Sequence, residues 1–220
     1  MKIFVATAEL DEVRWAASSG LLDGILTTPA LLRESGVEDE REHLLELCRV
    51  QPSPVYVTVH AVNGDDIYHD GRELARLSDQ IVVQVPLVED AFGAMHRLQA
   101  EGVRVAAMLV FNAAQALLAA RAGASSVVTP LDQLDAVGHS GGEVVRDLRA
   151  VFDASHTECD VLAVRPTTAQ QFTECALAGA DGVAVSPEVL RSLLLHPLTD
   201  RGIDQFLNEV SRRHGGWGHS

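Results

Sequence analysis

Short apolar runs alternate along the chain with longer stretches in which apolar positions recur every three or four residues. The first pattern suits strands buried on both faces, and the second suits helices packed against a sheet. The predicted strands are Lys2–Val5, Gly24–Leu26, Pro54–His60, Ile81–Val85, Val103–Val110, Ser126–Thr129, Asp160–Val164 and Gly182–Val185. The predicted helices are Leu10–Ser19, Leu31–Ser35, Glu40–Val50, Ile67–Leu77, Glu89–Glu101, Ala113–Ala122, Gly142–Ala154, Thr168–Ala178 and Pro187–Leu194, with Asp200–Arg213 added at the end. Punctuation agrees with these bounds: Gly123 and Gly179 stop two helices, and Pro187 sits near the start of another.

Strands and helices in strict alternation argue for a parallel sheet. Eight such units close most naturally as a single (β/α)8 TIM barrel of class α/β, here with an additional C-terminal helix. The barrel and that helix take up residues 1–213, and 214–220, with Gly215, Gly216 and Gly218, is expected to be a flexible tail. An open doubly wound sheet is the rival. It calls for a glycine-rich phosphate turn after strand one, and Ala6-Thr7-Ala8-Glu9 is not one.

Composition narrows the partners. Of 220 residues 47% are hydrophobic, enough for a large core. The net charge of −14 repels polyphosphates and anionic lipid surfaces, so neither nucleic acid nor membrane is an expected partner. Cys48, Cys159 and Cys175 are odd in number and lack CxxC spacing, which suggests neither a disulfide framework nor a zinc site. Met1-Lys2-Ile3-Phe4-Val5 runs straight into a strand, not a signal peptide, and no apolar run reaches membrane-span length; the reducing cytosol is the expected compartment. No metal or cofactor is expected. Lys2 is the only lysine.

In such a barrel, chemistry sits at the C-terminal ends of the strands. The residues there, with others in order along the chain, carry a likeness. Met1–Ala8, Leu22-Asp23-Gly24-Ile25, Thr27-Thr28-Pro29-Ala30-Leu31, Leu109-Val110-Phe111, Ala113–Ala120, Ala122-Gly123-Ala124, Ala176–Asp181 and His196–Gly202 resemble the small transaldolase and fructose-6-phosphate aldolase family. The resemblance implies a lysine that ends strand four in a run like IVVKVP and forms a Schiff base with a keto sugar. Here the run is Ile81-Val82-Val83-Gln84-Val85-Pro86. An amide nitrogen has a delocalised lone pair and does not condense with a ketone. Lys2 starts strand one, at the opposite end of the barrel. Other positions depart from the family pattern as well. Its strand-one aspartate falls on Ala6, a turn asparagine on Thr28, a polar strand-three residue on Thr58, strand-five Asn and Thr on Ala106 and Met108, a phosphate-binding arginine near Gln133, a strand-seven serine on Arg165 and a basic position on Thr167. Asp135 and Gly138 do match.

The candidate catalytic residues are therefore His60, Gln84 and Arg165. Gln84 is either an orienting donor and acceptor or a satisfied core amide. Arg165 is suited to gripping a carboxylate or phosphate, or else pairs with Asp132, Asp135 or Glu188. His60, two residues after Thr58, is expected to share its inward face and to act as acid or base, against the plain reading of an exposed or hydrogen-bonded histidine. His60, Asp65 and Asp66 have no recognised metal-ligand spacing. Thr28, Thr58, Met108, Thr129, Thr167 and Ser186 are the candidate substrate-binding lining. Hydroxyls at such places serve equally as turn and helix caps. His139-Ser140-Gly141-Gly142 reads as a capped loop, and Trp15 and Trp217 as surface or interface aromatics.

The first functional expectation is a barrel that has lost Schiff-base chemistry and acts on a small polar or anionic metabolite by non-covalent acid/base catalysis, as an isomerase, lyase or cyclase. A non-catalytic ligand-binding or oligomeric partner protein is the alternative. A genuine transaldolase or aldolase, as similarity alone assigns, is the second. The resemblance also implies a homo-oligomer assembled through the C-terminal helix.

Overall fold

The computed structural model describes residues 1–50 and 53–214, with side chains through residue 211. From residue 215 onward the expected tail, Trp217 included, lies outside the described residues. The strands are β1 (Lys2–Ala6), β2 (Gly24–Leu26), β3 (Val55–Thr58), β4 (Ile81–Pro86), β5 (Val105–Met108), β6 (Ser126–Pro130), β7 (Asp160–Val164) and β8 (Gly182–Val185). The helices are α1 (Leu10–Ser18), α2 (Pro29–Glu34), α3 (Glu40–Val50), α4 (Gly64–Ala75), α5 (Ala91–Ala100), α6 (Ala113–Arg121), α7 (Leu131–Ala136), α8 (Gly141–Ala154), α9 (Ala169–Ala178), α10 (Pro187–Ser192) and α11 (Pro197–His214).

Each strand pairs in parallel with its neighbour in sequence, and β8 closes on β1, so the sheet is a barrel without edges. Side chains alternate across it. Phe4, Leu26, Tyr56, Val82, Ala106, Val128, Leu162, Val164 and Ala184 fill the interior. Their neighbours Val5, Ile25, Val57, Val83, Ala107, Val127 and Val183 face the other way and join the larger core under the helices.

The interior is fitted around one large ring. Phe4 lies edge-on to Tyr56 at 5.4 Å between centroids. A β-carbon on Gly24 of β2 would stand 2.4 Å from the Phe4 ring, and one on Gly182 of β8 would stand 2.8 Å from its other side. Glycine on both flanking strands is what makes room for phenylalanine on β1.

Several bounds differ from those expected. β3 stops at Thr58 instead of His60, and β5 spans Val105–Met108 instead of Val103–Val110. At β5 the cause is visible: Leu109 has φ +64°, a left-handed conformation that ends extended pairing. Helix α4 begins at Gly64, three residues early, because the Asn63 side chain accepts from Asp66 N. Helix α11 begins at Pro197 instead of Asp200. The short helix α7 has no counterpart in the sequence reading. Among the described residues no helix is long and apolar enough to cross a membrane.

Candidate functional site

The site is built from the C-terminal ends of the strands. On β4, Gln84 points into the barrel and is 2% exposed. Its amide nitrogen donates to the Thr27 carbonyl at 2.9 Å and to Thr58 Oγ1 at 3.2 Å. Both protons are thus committed, to the ends of β2 and β3, while Oε1 accepts no hydrogen bond from the described residues. Thr27, which the sequence reading passed over, is fixed in turn by a hydrogen bond from its hydroxyl to the Tyr56 carbonyl at 2.9 Å. Ala6 and Met108 pack on the interior beside this cluster.

His60 does not join it. Because β3 ends at Thr58, strand alternation does not carry to residue 60. The ring instead lies 3.4 Å from Glu40, half exposed, in a groove whose lining includes Thr58 as well as Arg41, Leu74 and Leu77. The expected inward direction of this side chain is therefore corrected.

Arg165 follows β7 directly. Its Nε stands 3.1 Å from Asp132 Oδ1, an ion pair without hydrogen-bond alignment, since that oxygen is buried and makes no hydrogen bond. Asp132 belongs to α7, the helix the sequence did not disclose. The backbone of Arg165 is left-handed, φ +60°, and is tied to the barrel by its N–H to the Ala184 carbonyl at 3.0 Å. Leu109 holds the same conformation just after β5. Each such residue costs on the order of 1–3 kcal/mol, and strain of this kind collects at functional sites.

The hydroxyls divide. Thr58 meets Gln84. Thr28 and Ser186 are helix caps, accepting from Leu31 N and Val189 N. Thr129, fully buried, faces the helix layer and its hydroxyl has no hydrogen-bond partner. Thr167 hydroxyl and N–H both bond Gln171 Oε1. Gln171 then donates to Asp135 at 2.5 Å, and Asp135 receives Gly141 N at 3.4 Å, which ties the β6 and β7 loops together. The sequence reading passes over Gln171, yet a signal is present: Thr168-x-x-Gln171 has capping-box spacing, with Thr168 accepting from Gln171 N and Gln171 Oε1 accepting from Thr167 N, one residue before the cap, and Asn112-x-x-Gln115 repeats the arrangement at α6 through Phe111 N. Ser140 caps α8, as the loop reading has it. Trp15 lies under the Arg191 guanidinium at 3.9 Å.

Among the described residues there is no group of three His, Cys, Asp or Glu able to hold a metal ion. The cysteines are buried and free. Burial, with Asp160 and Asp181 nearby, pushes the Cys159 thiol up to about 12, and burial pushes Cys175 up to about 11. Neither is a ready nucleophile.

Solved structures similar to this chain include thiamine phosphate pyrophosphorylase from Pyrococcus furiosus, with TM-score 0.58 and 21% identity over 87% of this chain and 93% of that one. At that identity the likeness concerns the fold. The sequence comparisons reach further. The family model described as transaldolase/fructose-6-phosphate aldolase matches residues 3–219. A protein of Hyphomonas neptunium named "Probable transaldolase" is 36% identical over 96% of this chain and 98% of its own. One of Herpetosiphon aurantiacus with the same name is 38% identical over 94% of this chain and 93% of its own. These relatives correct the first functional expectation. Full-length similarity to proteins named for transaldolase supports that activity over a switch to non-covalent isomerase, lyase or cyclase work, and over a loss of catalysis. The chain belongs to the transaldolase/fructose-6-phosphate aldolase family.

Proposed function

We propose that this protein carries out transaldolase-class chemistry at the C-terminal mouth of its barrel, passing the ketone-bearing fragment of a small ketose phosphate to an aldehyde. The observation that carries the reading is the end-to-end similarity to proteins named probable transaldolase. Two features of the mouth fit a substrate of that class. Gln84 Oε1 and the Thr58 hydroxyl offer polar contacts beside the apolar Ala6 and Met108. Arg165 pairs with Asp132 through Nε at 3.1 Å while its side chain stays half exposed, within reach of an anionic end of the substrate.

By resemblance, position 84 is where the family's lysine falls, and an amide there forms no imine. The chemistry at this position is therefore the point to test. Purified protein supplied with fructose 6-phosphate and an aldehyde acceptor is expected to yield a new ketose phosphate by mass spectrometry. No transfer at any donor concentration would overturn the reading. With borohydride present, any trapped adduct is expected to map to Met1 or Lys2 and none to residue 84. Lys2 itself is a poor nucleophile: its hydrogen bond to Asp160 raises its pKa and keeps it protonated.

We also propose that the working form is a homo-oligomer assembled through α11, with a second copy of this chain as the occupant of its apolar face. Leu198, Ile203, Phe206 and Leu207 on that helix are all more than half exposed. Light scattering of the wild type is expected to give a multimer and that of Phe206→Asp a smaller species; a wild-type monomer would remove the proposal. The setting that fits three buried, free cysteines is the reducing cytosol.

A further inference from the structure

Two residues just beyond the barrel, Leu109 after β5 and Arg165 after β7, share a left-handed backbone. Each is followed by the same local device at the same spacing. Two residues on, a backbone N–H donates to a glutamine Oε1, Phe111 to Gln115 at 2.8 Å and Thr167 to Gln171 at 2.6 Å. Three residues on, Asn112 or Thr168 caps the next helix by accepting from that glutamine's own N–H. The β7 loop has the greater need of such ties. Pro166 follows Arg165, and a residue before proline is ordinarily extended, so φ of +60° there is imposed by its surroundings.

Among the described residues, only the second of these glutamines reaches a different loop. Gln171 Nε2 donates to Asp135 Oδ2 at 2.5 Å, and the other oxygen of Asp135 accepts from Gly141 N at 3.4 Å. Asp135 lies one turn from Asp132 on α7, so the two carboxylates share a side of that helix. They hold the β7 loop at two points. Asp132 meets the Arg165 guanidinium at 3.1 Å, and Asp135, through Gln171, meets the backbone of Thr167 two residues later. Without the second point the segment after Arg165 is tied only within its own loop and helix, and the guanidinium loses one of the constraints on its direction.

We propose that Gln171 and Asp135 are positioning residues for Arg165, holding its guanidinium where the phosphate of the ketose enters. The proposal rests on the transaldolase-class reading for its substrate, and the test separates the two. Gln171→Glu keeps an acceptor for Thr167 but sets a second carboxylate against Asp135, which opens the latch by like-charge repulsion. Adding Asp135→Asn restores one donor and one acceptor with their direction reversed. Both side chains lie outside the core, so each variant is expected to fold. Calorimetric titration of the full chain with fructose 6-phosphate reads positioning, and transfer to an aldehyde reads the reaction. Gln171→Glu is expected to weaken fructose 6-phosphate binding about fivefold, a net hydrogen bond's share, and to raise KM in step with little change in kcat. The double variant with Asp135→Asn is expected to recover most of that loss. Arg165→Met is expected to weaken binding more than Gln171→Glu does, and adding Gln171→Glu to it to change nothing further. Equal binding in Gln171→Glu and wild type would overturn the proposal, as would a loss that Asp135→Asn fails to restore or one that is as large in the Arg165→Met background. A wild type that shows this binding pattern but transfers nothing would overturn the transaldolase-class reading and leave the positioning role standing. A wild type that transfers, with binding and KM indifferent to Gln171→Glu, would do the reverse.

Discussion

Phe4→Ala is expected to cost about 3–5 kcal/mol of folding free energy, the usual range for deleting a buried ring. For a chain of this size that corresponds to roughly 10 °C or more in melting temperature. The ring is 3% exposed and occupies space that two strands yield by carrying glycine. No neighbour can close the hole cheaply, because β1 is fixed on both sides by β2 and β8. The reverse change makes the same point. Gly182→Ala would press a β-carbon to 2.8 Å from the Phe4 ring and 2.9 Å from Leu162 Cδ1, and is expected to destabilise by about 1–3 kcal/mol. Because the obstacle is side chain on both counts, Phe4→Leu should relieve part of the Gly182→Ala penalty. Denaturant titration of the two single variants and the double variant measures that coupling. Strictly additive costs would show that the ring and the glycine do not share one space.

How much of this was legible in the sequence follows from which forces act locally. The eight strands and the closed order were legible, since continuous apolar runs alternating with amphipathic stretches leave few other ways to bury both faces of a sheet. The inward direction of Gln84 and Thr58 was legible from strand alternation, but only while the strand lasted. His60 was misplaced because β3 ends at Thr58, and strand ends depend on backbone conformation that side-chain type does not announce. Leu109 and Arg165, both left-handed, carry no glycine to flag the turn. Thr28 and Ser186 could be lining or caps by type alone; the geometry made them caps. The Arg165–Asp132 pair had been one of three alternatives, and only the position of α7 selected it. Function is less local still. Gln84 alone speaks against imine formation at its position, whereas relatives over nearly the full length are named for transaldolase.

Gln84→Lys is expected to turn a position that forms no covalent adduct into one that does. The site is 2% exposed, and the interior residues around it, Leu26, Tyr56, Val82, Ala106 and Met108, include no carboxylate. Burial without a counter-charge disfavours the ammonium form and lowers a lysine's pKa, so a substantial fraction of amine would be neutral near pH 7. A neutral amine beside the Thr58 hydroxyl has what condensation with a ketone needs: a lone pair, and a neighbouring O–H to exchange protons with the departing oxygen. Incubation with dihydroxyacetone and borohydride, followed by peptide mapping, should place a reduced adduct at residue 84 in the variant and leave wild-type residue 84 unmodified. The rate of adduct formation should rise with pH through the lowered pKa and level off above it, because the neutral amine is the reacting species. The adduct is the readout, not turnover, because it reports on residue 84 alone. Gln84→Met serves as the control for packing, being similar in length without an amine. A folded Gln84→Lys that traps no ketone would mean that residue 84 does not face a space a ketone can enter, and the mouth would then have to be given up as the place where this barrel works.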